Sequence, residues 1–192
     1  VCIVLSIPAS LLILALAAPW RENVSVPQSL WSITAISSAQ EYFRDNDEDG
    51  NGAKDYWVAD VSGFYVLPSL RTGKPLKLIE VSVAGADRAP SPESVTSSVG
   101  DFIFAPKSGY FCKMLTYYES ETGAKQRYDV GGGRNPSRYG AVMFPSPNRD
   151  LTSPTFIINE ENIVYLRTLG REGEKVDTFP HSPVASGWRA LE

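Results

Sequence analysis

The chain has 192 residues, of which 43% are hydrophobic and 21% are charged. Its 18 Lys and Arg residues against 22 Asp and Glu residues give a formal net charge of −4, which leaves no electrostatic basis for nucleic-acid binding. One histidine and two cysteines are too few or too poorly placed for a disulfide framework, a zinc cluster or a histidine-based catalytic triad. The length predicts a single domain that buries its own core.

The first 20 residues carry no charged side chain. As a helix they would extend about 30 Å, which matches the hydrocarbon thickness of a bilayer. We therefore predict a transmembrane anchor helix over 1–20, with the lipid bilayer as its partner. The alternative is a secretory signal peptide, for which Leu14–Ala17 offers small residues for cleavage. No basic segment precedes the apolar run, and this favours the retained anchor.

A short polar link is predicted over 21–27. Ser25 and Gln28 have the spacing of a helix capping box, so a helix is predicted from about 26 to 44. Its apolar residues fall along one side, which is typical of an amphipathic helix that covers a core. The globular domain that contains this helix is predicted to extend over 28–192.

Beyond residue 56 the pattern changes to short apolar runs separated by Gly and Pro. Strands are predicted at Tyr110–Tyr118 and Tyr139–Phe144, followed by a hairpin of Thr155–Ile158 and Ile163–Leu166. Consecutive short strands favour an antiparallel meander. The predicted fold class is therefore α+β, with an N-terminal transmembrane helix that continues into an amphipathic helix packed on an antiparallel β-meander.

The most specific local motif is the acidic run DNDEDGNGAKD, which ends at Asp55. Calcium takes about six to eight oxygen ligands, which carboxylates at alternate positions of a tight loop supply, and a glycine at the sixth position permits the turn. Two registers fit: one starts at Asp45 with Gly50 sixth, and the other starts at Asp47 with Gly52 sixth. The predicted ligands of a structural Ca²⁺ ion are Asp45, Asp47, Asp49, Asn51 and Asp55.

The calcium motif is incomplete at its twelfth position, where Tyr56 or Val58 stands in place of a bidentate Glu. Asp60 is a further candidate as a late ligand. The alternative is a bare, solvated acidic turn. Negative charges beside the negative end of a helix dipole repel one another unless a cation is present, which favours calcium. Its expected role is to fix the helix to the first strand.

Other candidate functional residues lack a supporting pattern. His181 stands alone in a Pro-rich segment and is interpreted as a surface residue. Cys112 is interpreted as a small apolar strand residue that does not pair with Cys2. The run Gly131–Gly133 lacks the ending of a phosphate loop and is predicted to be a flexible loop. The acidic residues considered for a hydrolase are Glu80, Glu93 and Glu119.

An apolar segment ending at Ala18-Pro19 is followed by SLWSI and AQEYF in the amphipathic helix and by KSGYF at 107–111. In this order the segments resemble bacterial type IV pilins and pseudopilins. The resemblance implies a pilin-like domain outside the cytoplasm on a membrane-spanning stalk. Pilins carry a Glu at the fifth mature position, where this chain has Leu5. This difference favours a fixed subunit over a polymerising one.

We therefore expect a non-catalytic structural subunit, not an enzyme, that docks onto other proteins of a larger membrane complex. The expected location is the bacterial inner membrane, with a single span and a periplasmic or extracellular C-terminal domain. Two alternatives stay open: a pilin or pseudopilin that polymerises copies of this chain into an extracellular filament, and a calcium-dependent module that binds glycans or surface proteins. A membrane-tethered glycan hydrolase would require two acidic residues brought together in a cleft.

Overall fold

The computed structural model describes residues 25–97 and 103–191. The elements within these residues are one long α-helix, three short α-helices, one 3-10 helix and ten strands. In chain order they are α1 (Ser25–Asn46), β1 (Tyr56–Trp57), α2 (Gly63–Val66), α3 (Val81–Ala84), α4 (Pro92–Ser97), β2 (Tyr110–Met114), β3 (Tyr117–Glu119), β4 (Lys125–Arg127), β5 (Arg134–Asn135), β6 (Gly140–Pro145), β7 (Thr155–Asn159), β8 (Tyr165–Arg167), a 3-10 helix (Gly170–Lys175), β9 (Thr178–Phe179) and β10 (Arg189–Ala190).

The helix predicted over about 26–44 is confirmed as α1. Its inner face buries Ile33, Ile36, Ala39 and Phe43 and packs against β6 and β7. These apolar positions recur every three or four residues, so they line one side of the helix. The opposite side faces solvent and carries the exposed side chains of Trp31 and Tyr42.

The largest sheet has five antiparallel strands in the order β10-β8-β7-β6-β2. The predicted hairpin is confirmed by the pairing of β7 with β8, in which Ile157 lies opposite Tyr165. Every residue of the central strand β7 is buried. Both α1 and the 3-10 helix pack against this sheet. Two smaller sheets complete the fold: β1-β5, and β4-β3-β9, in which β3 and β9 run parallel.

A buried amide holds α1 against β1. The side chain of Gln40 is fully buried, and its Nε2 donates to the carbonyl of Trp57 at 2.6 Å. The Trp57 backbone N–H donates to Oε1 of Gln40 at 3.1 Å. Both polar ends of the amide are thus satisfied away from water, as a buried polar group requires. The pair fixes the C-terminal half of α1 and, with it, the start of the acidic loop.

The predicted fold class was wrong about the membrane-spanning helix. Among the described residues, no helix is both long enough and apolar enough to cross a membrane. The longest described helix, α1, is interrupted by polar side chains even on its buried face, including Ser32, Ser37 and Gln40. The anchor predicted over 1–20 lies outside the described residues.

The predicted single meander also needs correction. The segment Tyr110–Tyr118 was predicted as one strand, but it divides between two sheets. Its first part, β2, pairs with β6, and its second part, β3, pairs with β4 and β9. The backbone N–H groups of Thr116 and Tyr117 both bond to the carbonyl of Asp177, which turns the chain away from the larger sheet.

Candidate metal site and neighbouring acidic groups

The acidic loop follows α1 directly, and Asp47 organises its first turn. Asp47 has a left-handed backbone with a φ of 48°, and its two carboxylate oxygens accept hydrogen bonds from the backbone N–H groups of Asn51 at 3.1 Å and Gly52 at 3.0 Å. Gly52 has a φ of 80°, a conformation that favours glycine. The hydrogen bonds of Asp47 favour the calcium register that starts at Asp47 with Gly52 sixth, although Gly50, the sixth residue of the other register, also has a positive φ, of 61°.

Asn51 brings the next two carboxylates of the motif together. Its Nδ2 donates to Oδ2 of Asp49 and to Oδ2 of Asp55, at 2.9 Å in both cases. Hydrogen bonds of Asn51 thus connect four of the five predicted ligands, namely Asp47, Asp49, Asn51 itself and Asp55. The fifth, Asp45, lies outside this group: its side chain is 61% exposed and lies 3.8 Å from both Arg44 and Lys54.

Two carboxylate oxygens in this group are buried and have no hydrogen-bond partner in the described structure. They are Oδ1 of Asp49 and Oδ1 of Asp55, whose side chains are about nine-tenths buried. Burial raises the pKa of Asp55, the hydrogen bond from Asn51 lowers it, and the charge of Asp49 raises it again. Unpartnered carboxylate oxygens in such a place are costly, and a bound cation would remove that cost.

An arginine from a distant part of the chain neutralises Asp49. The Nε of Arg134 donates to Oδ2 of Asp49, and the guanidinium lies 4.2 Å from the ring centroid of Trp57 and 5.4 Å from that of Phe43. The arginine is thus held by a charge-assisted hydrogen bond and by two aromatic faces.

The predicted flexible loop at Gly131–Gly133 is a hydrogen-bonded turn that presents Arg134. Oδ1 of Asp129 accepts from the N–H groups of Gly131 at 2.8 Å and Gly133 at 3.1 Å. All three glycines have positive φ, and a Cβ on Gly133 would lie 2.8 Å from the Cβ of Ala59. Glycine is therefore required here for a close approach to β1, and this approach carries Arg134 to the acidic loop.

Among the described residues, no three Cys, His, Asp or Glu side chains are arranged to bind a metal ion. Internal partners hold the loop in its present form: backbone N–H groups engage Asp47, and Arg134 engages Asp49. Oδ1 of Asp49 and Oδ1 of Asp55 are the oxygens left for an ion, whereas Asn51 now turns its amide N–H groups toward these carboxylates and its amide oxygen toward the backbone N–H of Ala53. The chemistry of the donors fits calcium, while the internal hydrogen bonds define what the ion must replace.

Asp60, considered from the sequence as a late calcium ligand, belongs to a separate buried network. It is fully buried, and its Oδ1 accepts from the indole N–H of Trp57 at 2.9 Å and from the backbone N–H of Gly63 at 3.0 Å. Its Oδ2 accepts from the N–H of Ser91 at 2.6 Å. Asp60 thus joins three chain segments and is not available to the acidic loop.

A second buried carboxylate, Asp87, lies beside Asp60. Its Oδ2 accepts from the N–H groups of Val61 at 2.7 Å and Ser62 at 2.8 Å, and its Oδ1 accepts from Ala89 at 2.9 Å. Burial and, second, the negative charge of Asp60 raise the pKa of Asp87 to about 6, against the lowering effect of these hydrogen bonds. Sequence reasoning missed this residue because nothing in its local pattern distinguishes it from a loop carboxylate.

The burial of Asp87 beside Asp60 predicts that the free energy of unfolding depends on pH. The folded state binds the Asp87 proton more tightly than the unfolded chain, because its pKa is raised from 3.8 to about 6. The contribution of this group is complete below about pH 4 and is lost as the pH rises through about 6, at a cost of up to about 3 kcal/mol. Urea unfolding at a series of pH values measures it. In Asp87→Asn this part of the dependence should disappear, and parallel profiles for the two proteins between pH 4 and 7 would contradict the assignment.

The remaining acidic candidates and the histidine lie on different elements. Glu119 in β3 accepts a hydrogen bond from the backbone N–H of His181 at 3.3 Å, and both residues line a cavity of about 250 Å³ with Glu160. Glu80 pairs instead with Lys107. Glu93 in α4 lines a different cavity, together with Glu48. Glu80, Glu93 and Glu119 thus lie at different sites, whereas a glycan hydrolase requires two acidic residues in one cleft.

Cys112 is confirmed as a buried strand residue. It is fully buried in β2, and its Sγ lies 3.6 Å from the carbonyl oxygen of Val83. Burial and, second, the charge of Asp87 raise the pKa of its thiol. These surroundings suit an inert core thiol. Cys2 lies outside the described residues.

Comparison of the chain with protein-family models, with curated proteins and with solved structures gives no match. The resemblance to type IV pilins and pseudopilins therefore stays a prediction.

Proposed function

We propose that this chain is a non-catalytic protein-binding domain that docks onto a partner protein through the outer face of α1. The observation that carries the proposal is the α1 stripe, which consists of Trp31, Ala35, Ser38 and Tyr42. Trp31 is 76% exposed and Tyr42 is 46% exposed, although both are large aromatic side chains on a regular helix. Tryptophan and tyrosine are enriched in the binding hot spots of protein interfaces.

The spacing of the α1 stripe suits contact with another helix. Its members follow one another at intervals of four, three and four residues, so they form one line along the helix surface. The small side chains of Ala35 and Ser38 in the middle allow a partner backbone to approach, and the aromatic rings at both ends supply contact area. The stripe itself carries no charge that would have to be desolvated on binding.

We propose further that Ca²⁺ binds in the acidic loop and stabilises the end of α1. The support is the pair of buried, unpartnered oxygens on Asp49 and Asp55, together with the arrangement of Asp47 and Asn51 around them. The carbonyl of Ala53, in the seventh position, is the expected backbone ligand of such a loop. An incomplete loop of this type suits the millimolar calcium outside the cytoplasm, so an extracytoplasmic location is part of the proposal.

Alanine substitutions in the α1 stripe test the docking proposal. In Trp31→Ala and Tyr42→Ala we expect the amount of partner retained during purification from the native host to fall by at least about tenfold, because hot-spot aromatics contribute about 2 kcal/mol or more. The melting temperature should change little, since both side chains are exposed.

Val184→Ala is the matched control, since it also removes an exposed apolar side chain, one that is 68% exposed. Quantitative mass spectrometry of co-purifying proteins gives the readout. Partners retained in full by the Trp31→Ala, Tyr42→Ala double variant would contradict the proposal, as would an equal loss in the control.

Self-assembly is the second candidate, and the symmetry of the α1 stripe favours it. In an antiparallel pair of helices centred between Ile36 and Ser37, Trp31 of one copy faces Tyr42 of the other, and Ala35 faces Ser38. The stripe therefore complements itself without opposing like charges. Sedimentation of the purified domain distinguishes the candidates: a dimer lost in Trp31→Ala supports self-assembly, and a monomer supports a different partner.

A further inference from the structure

Asn51 is the only asparagine of the sequence that is followed by glycine. The side-chain amide of an asparagine and the backbone nitrogen of the next residue can react to form a five-membered succinimide ring. Glycine favours this reaction because it has no Cβ to obstruct the approach. Both Asn51 and Gly52 are exposed, and no atom of the described residues outside the neighbours of Gly52 in the chain lies within 4 Å of the place of its missing Cβ. The two reacting groups are therefore open to water, which the later hydrolysis of the ring requires.

The nucleophile of this reaction is the backbone nitrogen of Gly52, and its proton already has an acceptor. The Gly52 N–H donates to Oδ2 of Asp47 at 3.0 Å. The N–H bond lies in the peptide plane, whereas the nitrogen attacks through its electron pair, perpendicular to that plane. The hydrogen bond thus leaves the attacking side of the nitrogen free, and it places Asp47 as the general base that takes the proton.

The electrophile is the side-chain amide carbon Cγ of Asn51, and its oxygen has a donor. Oδ1 of Asn51 accepts from the backbone N–H of Ala53 at 2.6 Å. This hydrogen bond stabilises the negative charge that develops on the oxygen during attack, as the donors of an oxyanion hole do. It opposes the effect of the carboxylates of Asp49 and Asp55, to which Nδ2 of Asn51 donates at 2.9 Å. Both reacting groups are thus held within one hydrogen-bonded turn.

We propose that Asn51 is a site of spontaneous deamidation, which the folded loop promotes through Asp47 and Ala53. The nitrogen of Gly52 forms a bond to Cγ of Asn51 as its proton passes to Asp47. The bond between Cγ and Nδ2 then breaks, and the amide group leaves as ammonia with that proton. Water opens the resulting succinimide at one of its two carbonyls and gives aspartate or isoaspartate at position 51, without an oxidant or a reductant.

The reaction changes what the acidic loop requires. The amide of Asn51 now donates to Asp49 and to Asp55. An aspartate at this position has no N–H to donate and adds a third carboxylate beside these two, so the like charges repel one another unless a cation is bound. Deamidation therefore converts a loop that an amide closes into one that depends on calcium. This consequence rests on the proposed metal site, whereas the reaction itself needs no calcium.

Incubation of the purified domain at neutral pH, in buffer containing EDTA, tests the proposal. Peptide mapping by mass spectrometry, with chromatography that separates aspartate from isoaspartate, follows each asparagine over time. We expect first-order conversion of Asn51, at least as fast as in a synthetic peptide of residues 44–56, which has the same sequence without the folded loop. Asn148 is the internal control: it is also exposed, but Arg149 follows it, and it should stay unmodified.

Two variants show whether the folded loop promotes the reaction. Asp47→Asn removes the proton acceptor and should slow the conversion of Asn51 by about tenfold or more, because a positioned general base contributes about 100-fold or more. Asp45→Asn removes the same charge from the same loop, but Asp45 lies outside the hydrogen-bonded group, so this variant should react at the wild-type rate. In the synthetic peptide we expect the two substitutions to have equal effects.

Slower conversion in the folded domain than in the peptide would overturn the proposal, as would equal rates in the wild type and Asp47→Asn. Asn51→Asp then separates the reaction from its consequence. This variant should unfold at a lower temperature than the wild type in EDTA, and calcium should raise its melting temperature by more. If Asn51 reacts as expected but calcium stabilises neither protein, only the proposed metal site fails.

Discussion

Asp49→Asn is expected to abolish most of the rise in melting temperature that saturating calcium gives the wild-type domain. A ligand present at about 100 times its Kd stabilises the folded state by about 2.7 kcal/mol, which corresponds to roughly 5–10 °C for a domain of this size. Asp49 contributes a buried oxygen that has no hydrogen-bond partner in the described structure. Without its charge the loop offers calcium one carboxylate fewer, and Arg134 loses its anionic partner. Thermal unfolding with calcium and with EDTA measures the difference.

The matched control for this prediction is Asp45→Asn. It removes the same charge from the same loop, but Asp45 is exposed and turned toward Arg44 and Lys54. We expect it to keep the calcium-dependent rise. Because the pKa of Asp55 is raised, chiefly by burial, the apparent calcium affinity should also fall as the pH is lowered. A wild-type domain whose melting temperature is the same in calcium and in EDTA, at all concentrations up to millimolar, would falsify the metal site.

Asp60→Ala is expected to lower the free energy of unfolding by about 3–5 kcal/mol. The substitution leaves the indole N–H of Trp57 and the backbone N–H groups of Gly63 and Ser91 without their acceptor. All of these donors lie in or beside the buried network, so water cannot readily replace the carboxylate. The melting temperature should fall by roughly 10 °C or more. Urea unfolding gives the free energy directly.

Two further variants show whether the loss comes from the network. Asp60→Asn keeps one acceptor oxygen and should have an intermediate stability. Asp150→Ala removes an exposed aspartate that bonds to the backbone N–H of Thr152 at 2.9 Å, and it should cost less than about 1 kcal/mol. If Asp60→Ala and Asp150→Ala lost similar amounts of stability, Asp60 would not have the structural role assigned to it.

The parts of the fold that the sequence predicts well are those set by local patterns. The three- and four-residue spacing of Ile33, Ile36, Ala39 and Phe43 predicts α1 and its buried face. Likewise, two short apolar runs around a polar turn predict the β7–β8 hairpin. The acidic loop is local too, and its pattern predicts the grouping of Asp47, Asp49, Asn51 and Asp55, whereas Asp45 was also predicted and lies outside the group.

The parts that the sequence does not predict depend on contacts between distant residues. Arg134 bonds to Asp49 across 85 positions, and no motif near either residue indicates this pairing. Similarly, Asp87 reaches the N–H of Val61 across 26 positions. Glu48 is likewise buried, and its backbone carbonyl accepts from the N–H of Leu70 in a different segment of the chain. Such features arise only when the tertiary structure is formed.

Site-specific photo-cross-linking from position 38, in the middle of the α1 stripe, tests the docking proposal most directly. The photoreactive residue is introduced in place of Ser38 in the native host, and an equivalent protein with the residue at Glu121, which is also exposed, serves as the control. We predict a discrete cross-linked product from position 38 that is absent from position 121 and is lost when Trp31→Ala is added. No product from position 38, or the same product with and without Trp31, would contradict the assignment of α1 as the docking surface.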